Sequence, residues 1–172
     1  GFDRAMPMLS NSMAKSVTEM MVGAAVQEGL LTLDDPAPLE EWSGANDPRR
    51  ELTWRDMLQM QTGLEFEEVY TSPLADVAKM YFSERSAAEF AINKPLIYEP
   101  GTHWAYATGT SNILQRALRV VLEKNGIDYH TFGRDRIFAP LGMSSAVFSP
   151  DPAGDFKGGS FFYATARDWA KL

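Results

Sequence analysis

The stretch "NSMAKSVTEMMVGAAVQEGLL", residues 11–31, places a lysine three residues after a serine where a helical pattern begins. Met13, Val17, Met20, Met21, Ala24 and Leu31 track one face of a helix predicted from about Ser12 to Glu28, and Gly29 supplies the stop. The first turn of a helix exposes backbone N–H groups, so that end is positive and a cation there costs roughly 0.3–1 kcal/mol. Asp or Glu is the usual choice at such a place. Lys15 carries the opposite charge, either incidentally or because a reaction needs it.

Positions i and i+3 share a helical face, so the Lys15 amine can reach the Ser12 hydroxyl. A serine hydroxyl is a weak nucleophile until a neighbouring base takes its proton. A lysine does this only as the neutral amine, so the ordinary lysine pKa near 10.4 has to come down. Burial and a positive helix end both push a lysine that way. The same N–H groups suit a developing oxyanion. The residues alone leave a second reading open. Ser-x-x-Lys is made of common residues, and about one match per chain of this size arises by chance. Ser16 with Glu19 also forms a capping-box pattern that would start the helix at Ser16, with Ser12 merely upstream.

The rest of the sequence narrows the chemistry by exclusion. With 172 residues the chain has the length of one domain with a sizeable core, and its composition, 45% hydrophobic and 23% charged, is that of a globular protein. A formal net charge of −7 argues against nucleic acid as a partner. No basic run is present to dock on an anionic membrane, and "MMVGAAV" is far too short to span one. The absence of cysteine removes disulfides, thiolate ligands and a cysteine nucleophile. With only His103 and His130, a zinc site would need carboxylates as its main ligands, and no HExxH pattern is seen.

Helical signals dominate, and convincing alternating strands are nearly absent. Residues 33–51 read as a long Pro- and Gly-rich loop, and 52–64 as a short helix capped by Thr53 with Asp56 and closed by Gly63. Residues 65–82 are mixed. Ser86 with Glu89 opens a helix to Asn93. A strongly amphipathic helix follows "HWAYATG", with Ile113, Leu114, Ala117, Leu118, Val121 and Leu122 in register and a stop at Asn125-Gly126. Further helices are predicted over 129–138 and from Thr165 with Asp168.

Tyr106, in "HWAYATGT", is the second candidate: a phenol that loses its proton beside a cation can act as a general base. A lone tyrosine after a Pro-Gly turn is more often a packed aromatic. Thr108, two residues on, can hydrogen-bond a substrate or the lysine. Trp54, Trp104 and Trp169 are expected in the core, His103 is expected to be structural or exposed, and Glu65, Glu67 and Glu68 to form a solvated face.

Five ordered segments together resemble the serine β-lactamase and penicillin-binding-protein-like hydrolases, in the branch of class C β-lactamases, family VIII-type esterases and 6-aminohexanoate-dimer hydrolases. They are "SMAKSVT", "LTWRDMLQMQTGLEF", "PGTHWAYATGTSNIL", "FAPLGM" and "GGSFFYATARDWAKL". The resemblance implies the helical portion of the α/β β-lactamase/transpeptidase-like fold, mainly α in this chain, as one domain over 1–172 that is a fragment of a larger one. It also implies Ser12 as the acylated nucleophile, Lys15 and Tyr106 as its general base and acid, Thr108 at the substrate, and a small ester or linear amide as substrate. The family's usual Tyr-x-Asn is Tyr106-Ala107-Thr108 here, and a threonine offers one hydroxyl where an asparagine offers both a donor and an acceptor group. That departure favours an esterase or amide hydrolase over the alternative of a β-lactamase or D-Ala-D-Ala carboxypeptidase. The family's third motif, Lys-Thr-Gly or His-x-Gly on a strand, has no counterpart in residues 1–172. A missing segment or a complementing chain is therefore expected to carry most of the sheet. A non-catalytic, sensor-like binder is the alternative from another class.

Overall fold

The computed structural model describes residues 3–172. Its organising element is helix α5, Thr108–Lys124, against which α1 (Ala14–Gln27), α2 (Trp54–Leu58), α3 (Asp76–Phe82), α4 (Ala87–Ile92) and α6 (Tyr129–Gly133) all pack. The C-terminal half of α5 is amphipathic as its 3.6-residue pattern predicts, with Ile113, Leu114, Ala117, Leu118, Val121 and Leu122 buried. Its N-terminal half, Thr108 to Asn112, is buried too although it is polar and small. Small side chains let neighbours come close. A Cβ on Gly109 would sit 2.6 Å from the Phe66 ring.

A buried polar chain ties α5 to α1 and α6. The Phe156 N–H donates to the Tyr129 hydroxyl (2.8 Å), which donates to Gln115 Oε1 (2.9 Å). Gln115 Nε2 donates to Thr18 Oγ1 (2.9 Å), whose hydroxyl donates to the Gly158 carbonyl (2.9 Å). Every hydroxyl in the series gives one bond and takes one, so burial leaves neither orphaned. Burial raises the Tyr129 phenol well above its ordinary pKa.

The sheet is small. Strand β3 (Phe162–Ala164) lies between β1 (Met8–Leu9) and β2 (Val147–Phe148), antiparallel to both, with Leu9 and Val147 each opposite Tyr163. Strands of two or three residues are too short to show an alternating pattern, which is why the sequence carries almost no strand signal. Phe162 is fully buried against Phe138, Phe148 and Trp169.

The local caps form as predicted. Thr53 and Asp56 make a reciprocal capping box, Ser86 accepts from the Glu89 N–H, and Thr165 accepts from the Asp168 N–H. Helix α1 follows a 3-10 turn, Asn11–Met13, and begins at Ala14, so Ser16 lies inside the helix and is not its cap. The mixed segment contains α3, and the 129–138 helix is α6 continued by a π-helical turn, Arg134–Phe138. Two expectations fail. Helix α2 ends at Leu58, well short of Gly63, because the chain turns through Met60 (φ +57°) and Gly63 (φ +71°). The Gly63 carbonyl instead accepts from the Ile97 and Tyr98 N–H groups at 2.9 and 3.1 Å. Trp104, expected in the core with Trp54, is 62% exposed because it lies in the irregular loop after Gly101, whose residues all face solvent. Among the described residues no helix is long and apolar enough to cross a membrane.

Asp168 ties α7 (Ala166–Trp169) to the segment before β2. It accepts from Lys171 Nζ at 2.7 Å and from the Ser145 hydroxyl and N–H at 2.5 and 2.8 Å. The Lys171 bond first, and the Ser145 bonds next, hold its pKa down to about 2. A depressed carboxylate adds stability that is complete above the ordinary Asp value and lost as pH falls toward 2. The melting-temperature gap between wild type and Asp168→Asn should therefore be full at pH 6 and close between pH 4 and 2. Gln115→Leu should cost about 1–3 kcal/mol through the orphaned Tyr129 O–H alone, read by urea unfolding.

Candidate active site

Lys15 is the second residue of α1, and its three N–H bonds have three acceptors. Nζ lies 3.4 Å from Ser12 Oγ, 3.1 Å from Thr108 Oγ1 and 3.0 Å from the Gly159 carbonyl oxygen. It also stands 4.7 Å from the centroid of the Tyr106 ring. The structure thus brings Ser12, Lys15, Tyr106 and Thr108 together from two segments more than ninety residues apart. Ser12 and Lys15 are half-buried, Thr108 is buried and Tyr106 is exposed. Among the described residues, no side chain caps α1 and no acid lies in its first turn, so the N–H groups beside Ser12 are not claimed by a carboxylate of the helix itself.

Ser12 sits in the 3-10 turn, held from behind. The Ser10 N–H donates to the Phe162 carbonyl (2.8 Å) and the Ser10 hydroxyl to the Ser160 carbonyl (3.0 Å). Asn11, between them, has φ +47°, a left-handed conformation that asparagine tolerates better than most residues. The turn presents the serine at the start of α1.

Residues 158–160 form a strap along this element. The carbonyls of Gly158, Gly159 and Ser160 accept from Thr18, Lys15 and Ser10 in turn. The approach requires two glycines. A Cβ on Gly158 would lie 2.5 Å from the Ser111 carbonyl oxygen, and one on Gly159 2.4 Å from Thr108 Cγ2. Sequence reasoning missed the strap; its only signal is the paired glycine at 158–159.

Tyr106 is placed by backbone bonds. The Ala105 N–H donates to the Met60 carbonyl at 2.9 Å and the Gly101 N–H to Gln61 at 2.8 Å, which pins the loop to the turn after α2. His103, expected to be structural or exposed, is exposed and stacks on Tyr98 at 4.1 Å between centroids.

Glu68 was expected on a solvated face with Glu65 and Glu67. Those two are exposed, but Glu68 is half-buried and faces Thr108. Its Oε2 accepts the Thr108 N–H at 2.7 Å, capping the start of α5, and its Oε1 accepts the Thr108 hydroxyl. The Tyr70 hydroxyl donates to the same oxygen. Partial desolvation of the hydroxyl, and then its bond to the Glu68 carboxylate, raise the Tyr70 pKa to about 12, so Tyr70 keeps its proton at ordinary pH although the ring is largely exposed. Nothing in the run of acids marks Glu68, because its partner lies forty residues on.

Among the described residues no group of three or more His, Asp or Glu side chains is arranged to hold a metal ion.

The model of the Beta-lactamase family matches residues 4–172. The chain belongs to that family. The helix-rich chain with its small sheet is the helical portion of that family's fold. The chain is 26% identical over 170 residues to a lovastatin esterase of Penicillium rubens, covering 85% of this chain and 40% of that protein. It is 27% identical over 157 residues to a monacolin J acid methylbutanoyltransferase of Aspergillus terreus, covering 80% of this chain and 37% of the relative. A solved structure from Bacillus anthracis, thought to be a 6-aminohexanoate-dimer hydrolase, superposes with a TM-score of 0.79 at 20% identity, over 99% of this chain and 47% of its own. The chain spans about two fifths of the length of these two curated relatives.

The space around each glycine gives one substitution opposite signs in the strap and on α1. Gly159→Ala, which meets Thr108, should destabilise the chain by about 1–3 kcal/mol. Gly23→Ala, on an exposed face of α1 with nothing within 4 Å, should stabilise it by about 0.5–1 kcal/mol. Denaturant midpoints check both.

Proposed function

We propose that this chain supplies the nucleophile-bearing helical portion of a serine hydrolase that forms an acyl-enzyme on Ser12. The observation that carries the reading is Lys15 Nζ, within reach of Ser12 Oγ and anchored by Thr108 and Gly159. In the first step the neutral Lys15 amine takes the Ser12 proton while Oγ bonds to the substrate carbonyl carbon. The bond to the leaving oxygen or nitrogen then breaks, and Tyr106 with Lys15 returns a proton to it. Water repeats the sequence on the acyl-enzyme, releasing the acid and restoring Ser12. The backbone N–H of Ser12 itself is the first donor we assign to the developing oxyanion.

For substrate we propose a small ester or linear amide. Thr108 in place of an asparagine speaks against β-lactams, and relatives named as an esterase and an acyltransferase speak for acyl groups on oxygen. The segment or partner chain that completes the sheet would add a second oxyanion donor, and losing one such donor typically costs ~10²–10³ in rate.

The test is intact mass after incubation with a fluorophosphonate, for this chain and for the full-length protein. A single adduct absent from Ser12→Ala supports the reading, and no adduct in the full-length protein rejects it. Tyr106→Phe should slow acylation by p-nitrophenyl esters ~10²–10⁴-fold. Turnover of a chromogenic cephalosporin faster than of a p-nitrophenyl ester would overturn the substrate assignment.

A further inference from the structure

Resting on that reading of Ser12 and Lys15, we propose that Glu68 is a positioning residue: it claims the Thr108 hydroxyl proton and so directs the Lys15 lone pair at Ser12. A carboxylate has no proton to give, so in the Glu68–Thr108 bond the hydroxyl is the donor. A hydroxyl has one proton, and once it is committed to Glu68 the threonine oxygen can only accept from Lys15 Nζ, 3.1 Å away. The Gly159 carbonyl, at 3.0 Å, can likewise only accept. A neutral amine has two N–H bonds and one lone pair. With Thr108 and Gly159 both restricted to accepting, the two N–H bonds go to them and the lone pair is left for Ser12.

Were the Thr108 hydroxyl free to rotate, it could give its proton to the amine and occupy the lone pair that Ser12 needs. Glu68 prevents this. Tyr70 supports it by donating to the same carboxylate oxygen, and its pKa of about 12 keeps that donor protonated. The arrangement also removes the Thr108 hydroxyl as a donor to substrate, so substrates that rely on a hydrogen-bond donor at this position gain nothing from it. Glu68 has a second, purely structural contact, the 2.7 Å bond from the Thr108 N–H that caps α5. The two roles are separable because Thr108→Val deletes the hydroxyl and leaves the N–H.

The experiment is a double-mutant cycle in the full-length protein, reading the second-order rate of Ser12 acylation by a fluorophosphonate for wild type, Glu68→Leu, which has no acceptor to offer, Thr108→Val and the double variant. Glu68→Leu should slow acylation at least tenfold in the wild-type background and less than threefold beside Thr108→Val. An equal loss in both backgrounds would mean that Glu68 acts by capping α5 or by its charge, and would overturn the proposal, as would no loss at all. Proton NMR gives a readout independent of activity. A Thr108 hydroxyl proton protected from exchange in wild type and unprotected in Glu68→Leu is expected; a freely exchanging hydroxyl in wild type would overturn the proposal even if acylation occurs. Failure of wild type to acylate, with the hydroxyl protected, would reject the catalytic reading and, with it, any role for Glu68 in aiming a base.

Discussion

The carbonyls of Gly158 and Gly159 lie against α1 and α5 at a distance that no side chain on the strap would permit, and the candidate site is assembled around that contact. Through Thr18 and Gln115 the strap is joined to the interior of α5, and through Tyr129 to the Phe156 N–H just before the strap itself. The hydrogen bonds therefore close a loop: the same segment is held at both ends by one buried polar series. In the interior such a series is favourable only when complete, since each orphaned donor or acceptor costs about 1–3 kcal/mol. Completeness makes it specific. A shift of the strap by one residue would break several bonds together.

That constraint also explains why β3 is so short and so buried. The strap leads directly into Phe162, whose ring fills the space between Phe138, Phe148 and Trp169. The Phe162 carbonyl then holds Ser10, two residues before the nucleophile candidate. Packing of one aromatic side chain and placement of Ser12 are consequences of one register, Leu9 opposite Tyr163.

What could be read in the sequence was local. The caps at Thr53, Ser86 and Thr165 depend on residues three apart, and so does the Ser12–Lys15 pair. Each is settled within one helical turn. The long helix α5 was legible because its apolar face repeats over seventeen residues. The parts that were not legible depend on partners far away in the chain. Glu68 looks like its neighbours Glu65 and Glu67 until Thr108 is brought to it, and Gly63 looks like a helix stop until residues 97 and 98 donate to its carbonyl. Trp104 shows the converse. Its size suggested burial, but the loop that carries it is pinned by backbone bonds on either side of it, and those bonds leave the indole outside.

The lysine at a positive helix end can now be weighed. Its unfavourable interaction with the N–H groups of α1 is roughly 0.3–1 kcal/mol. Hydrogen bonds to a charged group contribute about 1.5–3 kcal/mol each when well formed, and two acceptors, Thr108 and Gly159, lie at 3.1 and 3.0 Å. The fold therefore tolerates the charge where the helix alone would not. Both acceptors come from outside α1, one from the start of α5 and one from the strap, so the position is stable only in the folded chain. They also fix direction as well as energy. In either protonation state two of the amine's valences are taken by groups that only accept, and the third faces Ser12. The geometry that makes Lys15 acceptable to the fold is the same geometry that points it at the hydroxyl.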